Sequence, residues 1–224
     1  MTRPVMPLIL AVDTTSEYGS LALVRDGELL EEALLHAPAS FSPVLYEELA
    51  RLLKRHGVKL ADVACFAAAS GPGTFTGVRV ALGCVKGLAE AMGRPAVAVS
   101  NLQAVARYGT ARLRGVALDA RRGEIYGAVY DDAGKLVTEE VVAKFGPWLE
   151  GLPDGVEEFL SNDLTVTLEG TRFAGALAVT APRQLAGVIA RIAGERLARG
   201  EASDAAALDA NYVRRTDAEL ALKV

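Results

Sequence analysis

The sequence predicts an α/β protein made of two copies of one sheet-forming unit, giving two sub-domains, each a mixed β-sheet flanked by helices. Three observations carry that expectation. Leu8-Ile9-Leu10-Ala11-Val12 is a continuous apolar run closed by Asp13, the profile of a strand buried on both faces, and Gly115-Val116-Ala117-Leu118 closed by Asp119 repeats it. Each run is followed by a second strand, a tight turn and a third strand: Gly19 to Val24 and Leu29 to Leu35 around Arg25-Asp26-Gly27-Glu28, then Glu124 to Tyr130 and Leu136 to Val142 around Asp131-Asp132-Ala133-Gly134-Lys135. The copies stay in step, since Asp13 and Asp119 lie 106 residues apart and Gly27 and Gly134 lie 107 apart, one residue having entered the turn.

The remaining elements follow in order. Ser42-Pro43 reads as an N-cap followed by proline at the first helical position. The helix Val44 to His56 then lines up Leu45, Leu49, Leu52, Leu53 and His56 on one face and stops at Gly57. Val63 to Ala69 is a strand, and Gly71-Pro72-Gly73-Thr74-Phe75-Thr76-Gly77 is a glycine-rich loop. A helix from Val78 to Met92 ends at Gly93, and Ala96 to Val99 is the next strand. Three early strands on short turns, followed by alternating helices, give a mixed sheet. Pro182 to Arg199 reads as a late helix stopped by Gly200, while Gly and Pro interrupt every pattern between Phe145 and Ala181. The domain boundary falls near residue 100: an N-terminal sub-domain over 1–100, with the C-terminal segment packing back on it as an option, and a degenerate second copy over 101–224.

Composition narrows the function classes. With 224 residues, 51 % hydrophobic and 23 % charged, the chain is long enough for a buried core. Its 24 basic and 28 acidic residues leave a net charge of −4, which argues against a dedicated duplex-binding protein. Cys65 and Cys84 make neither a disulfide framework nor a Cys-x-x-Cys pair. Near the N-terminus one basic residue, Arg3, precedes a short apolar run, no secretory leader or membrane span is evident, and the cytoplasm is the expected location.

Some residues bear on chemistry, each with a plain structural reading beside it. Asp13-Thr14-Thr15-Ser16 closes a buried strand with a carboxylate and three hydroxyls, a turn able to hold phosphate or a hydrated metal, or simply a capped turn. Gly71, Gly73 and Thr74 precede a helix and offer backbone N–H groups to an anion, or let the helix pack close to the sheet; no Walker lysine follows. Asp13, Thr14, Thr15, Gly71, Gly73 and Thr74 are therefore the candidate residual phosphate site. Asp119-Ala120-Arg121-Arg122-Gly123-Glu124 occupies the matching place in the second copy, its arginines suited to phosphate, to an acidic partner or to solvent. His36 and His56 have no histidine or cysteine at ligand spacing, so no metal site is expected, and His56 suits the carbonyls ending its helix. The helix Val78 to Met92 is small and apolar over most of its circumference, and Gly83 and Gly87 would let a neighbouring helix approach closely.

A duplicated three-strand unit with aspartate closing each first strand is the layout of the actin, sugar kinase and Hsp70-type ATPases, the actin-like/ribonuclease H-like (ASKHA) fold, in which two first turns grip phosphate across a cleft. Kinases of that fold usually carry glycine in the first turn, where this sequence has threonine.

Together these residues resemble the TsaB (YeaZ) family, whose members take part in making threonylcarbamoyladenosine at tRNA position 37. The matching pieces are Ile9 to Thr15, Gly71 to Arg79, Val99-Ser100 and Asp119 to Tyr126, with a fainter echo in Tyr212-Val213-Arg214. The sequence departs from the family pattern at Ala81 and Ala210, and has Ala39-Ser40 where a His-Ser pair often stands. A catalytic relative, TsaD, carries Asn-His-Leu-Glu-Gly-His, its histidines binding a metal, where this chain reads Ser100-Asn101-Leu102-Gln103-Ala104-Val105, so that Asn101 and Val105 replace both imidazoles.

The resemblance implies a subunit with no catalytic residues and no metal, a homodimer when free that exchanges this pairing for one with TsaD. An ATPase, TsaE, joins them, and tRNA is met through the complex. Pairing through the two N-terminal helices makes Leu45, Leu49, Leu52, Leu53, Val78, Leu82, Val85 and Ala89 the expected interface. No cofactor is expected, ATP being held weakly or at a subunit interface if at all. Two alternatives stay open: an ATP-dependent phosphotransferase of the sugar-kinase type, and a peptidase, which the absent histidines argue against.

Overall fold

The computed structural model describes residues 7–37 and 41–214. Arg3 and the Ala39-Ser40 pair lie outside them. Two five-stranded mixed sheets form the framework. In the first, β1 (Leu8–Asp13), β2 (Tyr18–Arg25) and β3 (Glu28–His36) run antiparallel in succession. β4 (Val63–Ala69) and β5 (Ala96–Val99) add in parallel, giving the order β3-β2-β1-β4-β5. Asp26 and Gly27, at φ 61° and 76°, form the tight turn between β2 and β3.

The second sheet repeats this plan with β6 (Leu113–Arg121), β7 (Glu124–Asp131) and β8 (Leu136–Ala143), joined by β9 (Glu158–Ser161) and β10 (Leu177–Thr180) in the order β10-β9-β6-β7-β8. The fold is thus the duplicated actin-like/ribonuclease H-like arrangement.

Alternation along β1 decides how the first sheet is covered. Leu8, Leu10 and Val12 share a core with Leu21 and Leu23 of β2, with α1 (Ser42–Arg55) and with α2 (Phe75–Met92). Ile9 points the other way, towards Gly194 of α5 (Ala186–Ala198), which packs on β1, β2 and β4. Seven buried residues of α5, among them Val188, Ile189 and Ile192, cover that face.

The units are discontinuous in sequence, the arrangement that the option of a C-terminal segment packing back on the N-terminal sub-domain describes. The chain up to Asn101 and Arg183–Ala210 form one unit, and Leu102–Pro182 with the segment from Asn211 forms the other. The range 101–224 therefore loses its helix to the first unit, because a sheet buried on both faces needs a second helical layer.

The interval 145–181 contains α4 (Phe145–Glu150) and the strands β9 and β10. Trp148 of α4, Phe159 of β9 and Phe173 build an aromatic core, with Phe159 meeting Trp148 and Phe173 edge-on at 6.1 and 5.1 Å. α3 (Asn101–Ala106), one and a half turns, also escapes sequence reading. α2 starts three residues before the expected Val78 and α5 four after the expected Pro182.

Candidate functional site

Asp13 closes β1 in the core, 2 % exposed. Its Oδ1 accepts the Thr15 backbone N–H at 2.9 Å and the Thr15 hydroxyl at 2.6 Å. Burial pushes the carboxyl up to about 6; the two Thr15 bonds pull against this and the Glu32 charge adds to it. Glu32 is itself placed by the Ser20 hydroxyl at 2.9 Å and by the Gly187 N–H in the first turn of α5 at 3.0 Å.

The glycine loop is sewn to this turn. The Thr74 N–H donates to the Thr15 carbonyl at 2.7 Å, and the Thr14 hydroxyl donates to the Gly77 carbonyl at 2.7 Å. A Cβ on Gly73 would meet the Thr15 carbonyl at 2.6 Å, and one on Gly77 would meet the Thr14 carbonyl at 2.0 Å. The glycines are there for backbone contact. Thr74 caps α2 by accepting from the Gly77 N–H at 3.2 Å, so the helix begins inside the loop.

Asn101 completes the arrangement. Its Nδ2 donates to the Thr15 hydroxyl, which donates onward to Asp13, and its Oδ1 accepts the Gly71 N–H at 3.1 Å. Four backbone donors of this region are engaged: Thr15 N, Thr74 N and Gly77 N within the turn and loop, and Gly71 N by Asn101. The six candidate phosphate-site residues are thus brought together, with Asp13, Thr14, Thr15, Gly71 and Thr74 hydrogen-bonded to one another or to Gly77 and Asn101. Sequence reasoning gave Asn101 only as a lost ligand; its role as a clasp leaves no motif.

The second turn is built differently. Arg121, Arg122 and Gly123 all lie in the left-handed region, at φ 63°, 59° and 74°, after a register shift opposite β7. Arg121 Nη1 lies 3.3 Å from Asp119 Oδ2, with the arginine side chain 81 % exposed. The Asp119 N–H donates to both oxygens of Asp163, whose carboxyl burial pushes up. Glu124 pairs with Arg214 at 2.5 Å, which ties the Tyr212-Val213-Arg214 echo to the Asp119 to Tyr126 motif. Nothing in the sequence pairs Asp163 or Arg214 with this turn.

The expected interface residues are not on the surface. Leu45, Leu49 and Leu52 of α1 and Val78, Leu82, Val85 and Ala89 of α2 are buried in the unit's own core, none more than 6 % exposed, and Leu53 packs against it. The apolar stripe that suggested pairing is the stripe that covers the sheet. Among the residues these helices leave outside are Val44 and Tyr46 of α1, with Gly83 and Gly87 of α2, beside charged groups such as Glu47, Arg51, Arg79 and Glu90. A Cβ on either glycine would have nothing within 4 Å. His56 also differs from expectation: its Nε2 lies 2.7 Å from Glu31 Oε2, pinning the end of α1 to β3.

A family model described as "TsaD: tRNA N6-adenosine threonylcarbamoyltransferase" matches residues 37–207. The chain belongs to this family, and within it to the TsaB (YeaZ) proteins. The Escherichia coli relative named "tRNA threonylcarbamoyladenosine biosynthesis protein TsaB" is 36 % identical over 62 % of this chain and 62 % of its own length. The Bacillus subtilis protein of the same name is 29 % identical over 94 % of this chain and 96 % of its own. A solved Pseudomonas aeruginosa structure, described as an uncharacterized protein with similarity to the peptidase YeaZ, superimposes with a TM-score of 0.79 at 29 % identity, covering 93 % of this chain and 100 % of that one. Among the described residues no helix is long and apolar enough to cross a membrane.

Proposed function

We propose that the chain is a non-catalytic subunit of the machinery that makes threonylcarbamoyladenosine at tRNA position 37, serving as a scaffold for the catalytic subunit TsaD. One observation carries this reading: Asn101, at the place where the catalytic relative has a metal-binding histidine, holds the first turn and the glycine loop shut. A turn whose hydroxyls and Thr15, Gly71 and Thr74 N–H groups are bound to its own surroundings supports a packing role better than a phosphate-gripping one. The relatives' printed name supplies the pathway.

Pairing, as a homodimer or with TsaD, uses the outer faces of α1 and α2. Gly83 and Gly87 permit close helix approach, while Val44 and Tyr46, 38 % and 57 % exposed, supply apolar area. TsaE joins the pair, and the chain itself works without nucleotide.

Reconstitution tests this. tRNA modification by TsaD and TsaE should require the chain and fail with Gly87→Arg, whose side chain enters open space in the monomer and blocks a neighbouring helix. The thermal midpoint of that variant should stay that of the wild type. Modification that proceeds equally well without the chain, or Mg-ATP turnover by the chain alone, defeats the reading.

A further inference from the structure

Two aromatic–guanidinium pairs border the Thr14–Ser16 turn, and the turn's own chemistry uses neither. At one, Arg79 lies over the Phe75 ring at 3.8 Å, and Phe75, 46 % exposed, directly follows Thr74, whose N–H is bound to Thr15. At the other, Arg183 lies over the Tyr18 ring at 4.5 Å, and Tyr18 stacks on His36 at 4.9 Å with only 14° between the planes. Tyr18 is reached from the turn through Ser16, which both donates to its carbonyl and accepts its N–H.

Both pairs stand at one end of the first sheet. β1 ends there at Asp13, β2 begins there, and the register that sets Tyr18 opposite His36 brings the end of β3 to the same place. In sheets of this kind, ligands bind at the carboxyl ends of the parallel strands. Here the inner part of that end is closed by the Asn101 clasp. What faces outward includes Phe75, His36, Arg79 and Arg183, with Ser16, Thr76 and one carboxylate, Glu17.

Flat rings pre-stacked with guanidinium groups, spaced along a hydroxyl-bearing edge, are what unpaired nucleobases stack on. The arginines contribute a cation–π face and a phosphate contact at once. Resting on the reading above that the chain serves a tRNA-modifying complex, we infer that this edge contacts single-stranded RNA, with Phe75 and the His36–Tyr18 stack as base platforms and Arg79 and Arg183 as their charged partners.

Fluorescence anisotropy with a labelled RNA hairpin, its loop unpaired and containing adenosine, tests the inference on the full chain, alone and within the assembled complex. Phe75→Leu keeps an exposed apolar side chain without a ring and should weaken binding roughly five- to a hundred-fold, the range for one lost base stack. Arg79→Gln and Arg183→Gln should each lower the slope of log affinity against log salt by about 0.7. Thermal midpoints should not move.

RNA affinity unchanged in all three variants overturns the inference. So does Phe75→Leu releasing the catalytic subunit while RNA affinity stays intact, since the pair would then be a protein anchor. The two readings separate cleanly: a chain needed for modification whose RNA affinity ignores these residues keeps the scaffold role and loses this edge. A chain that binds RNA here but is dispensable for modification does the reverse.

Discussion

The Asn101 side chain donates to the Thr15 hydroxyl at 2.5 Å across 86 residues of sequence, and both residues are buried. With Thr15 passing a hydrogen bond to Asp13 and Gly71 donating to Asn101, one amide joins the end of β1, the glycine loop and the start of α3. Asn101→Ala removes the Oδ1 acceptor of the buried Gly71 N–H and a donor to Thr15. The expected cost is about 2 kcal/mol, read as a lower urea midpoint at unchanged m-value. A variant as stable as the wild type would show that the clasp holds nothing together.

Asp13 sets a pH dependence opposite in sign to that of a salt-bridged carboxylate. Burial holds its folded-state carboxyl at about 6, against an ordinary 3.8, so as pH falls the folded chain takes up this proton before the unfolded chain does. The contribution to stability is fully present below about pH 4 and is lost as pH rises through about 6. The whole swing is about 3 kcal/mol. Urea unfolding of Asp13→Asn from pH 4 to 8 should lose this segment of the profile, leaving the variant relatively more stable at pH 8 than at pH 4. Parallel profiles for the two proteins would mean that Asp13 titrates normally.

The duplication could be read because an unbroken apolar run closed by aspartate survives in each copy, and Leu8–Asp13 and Leu113–Arg121 occupy equivalent places in their sheets. β9 and β10 were not legible. Four residues each, they carry too little periodicity to stand out among glycines and prolines. The burial of the expected interface residues was not legible for a related reason. A leucine stripe marks a buried face without saying what buries it, and on α1 the sheet does so. The outward face is marked only by what it lacks, at Gly83 and Gly87. The candidate phosphate residues were legible as a group because hydroxyls and glycines cluster in two short stretches, but the bonds that tie Thr15 to Gly71 run through Asn101, which no spacing connects to Thr15.

Neither cysteine should react in the folded protein. Burial pushes the Cys65 thiol up to about 12 and that of Cys84 to about 11, where the Tyr46 hydroxyl partly offsets it. The thiolate is the reactive form, so both side chains are protonated and enclosed at pH 8. Ellman's reagent should label native protein only as fast as the chain opens, and label both thiols at once in denaturant. Prompt stoichiometric labelling of either cysteine under native conditions contradicts the packing around it.

Two glycines of one helix should respond to alanine with opposite signs. Gly77 lies in the first turn of α2, where a methyl group would sit 2.0 Å from the Thr14 carbonyl and 2.5 Å from the Thr74 hydroxyl, with the Thr14 backbone unable to give way. Gly77→Ala should cost about 3 kcal/mol, the upper range for overpacking, because β1 and α2 must separate to admit it. Gly83, two turns on, faces open space, so Gly83→Ala removes only backbone freedom from the unfolded chain and should stabilise the monomer by about 1 kcal/mol. The same methyl group stands where a neighbouring helix would come closest, so this gain should be accompanied by weaker association in sedimentation or titration with the partner. A Gly83→Ala protein that is both more stable and equally well associated would place the pairing face somewhere other than the outside of α2.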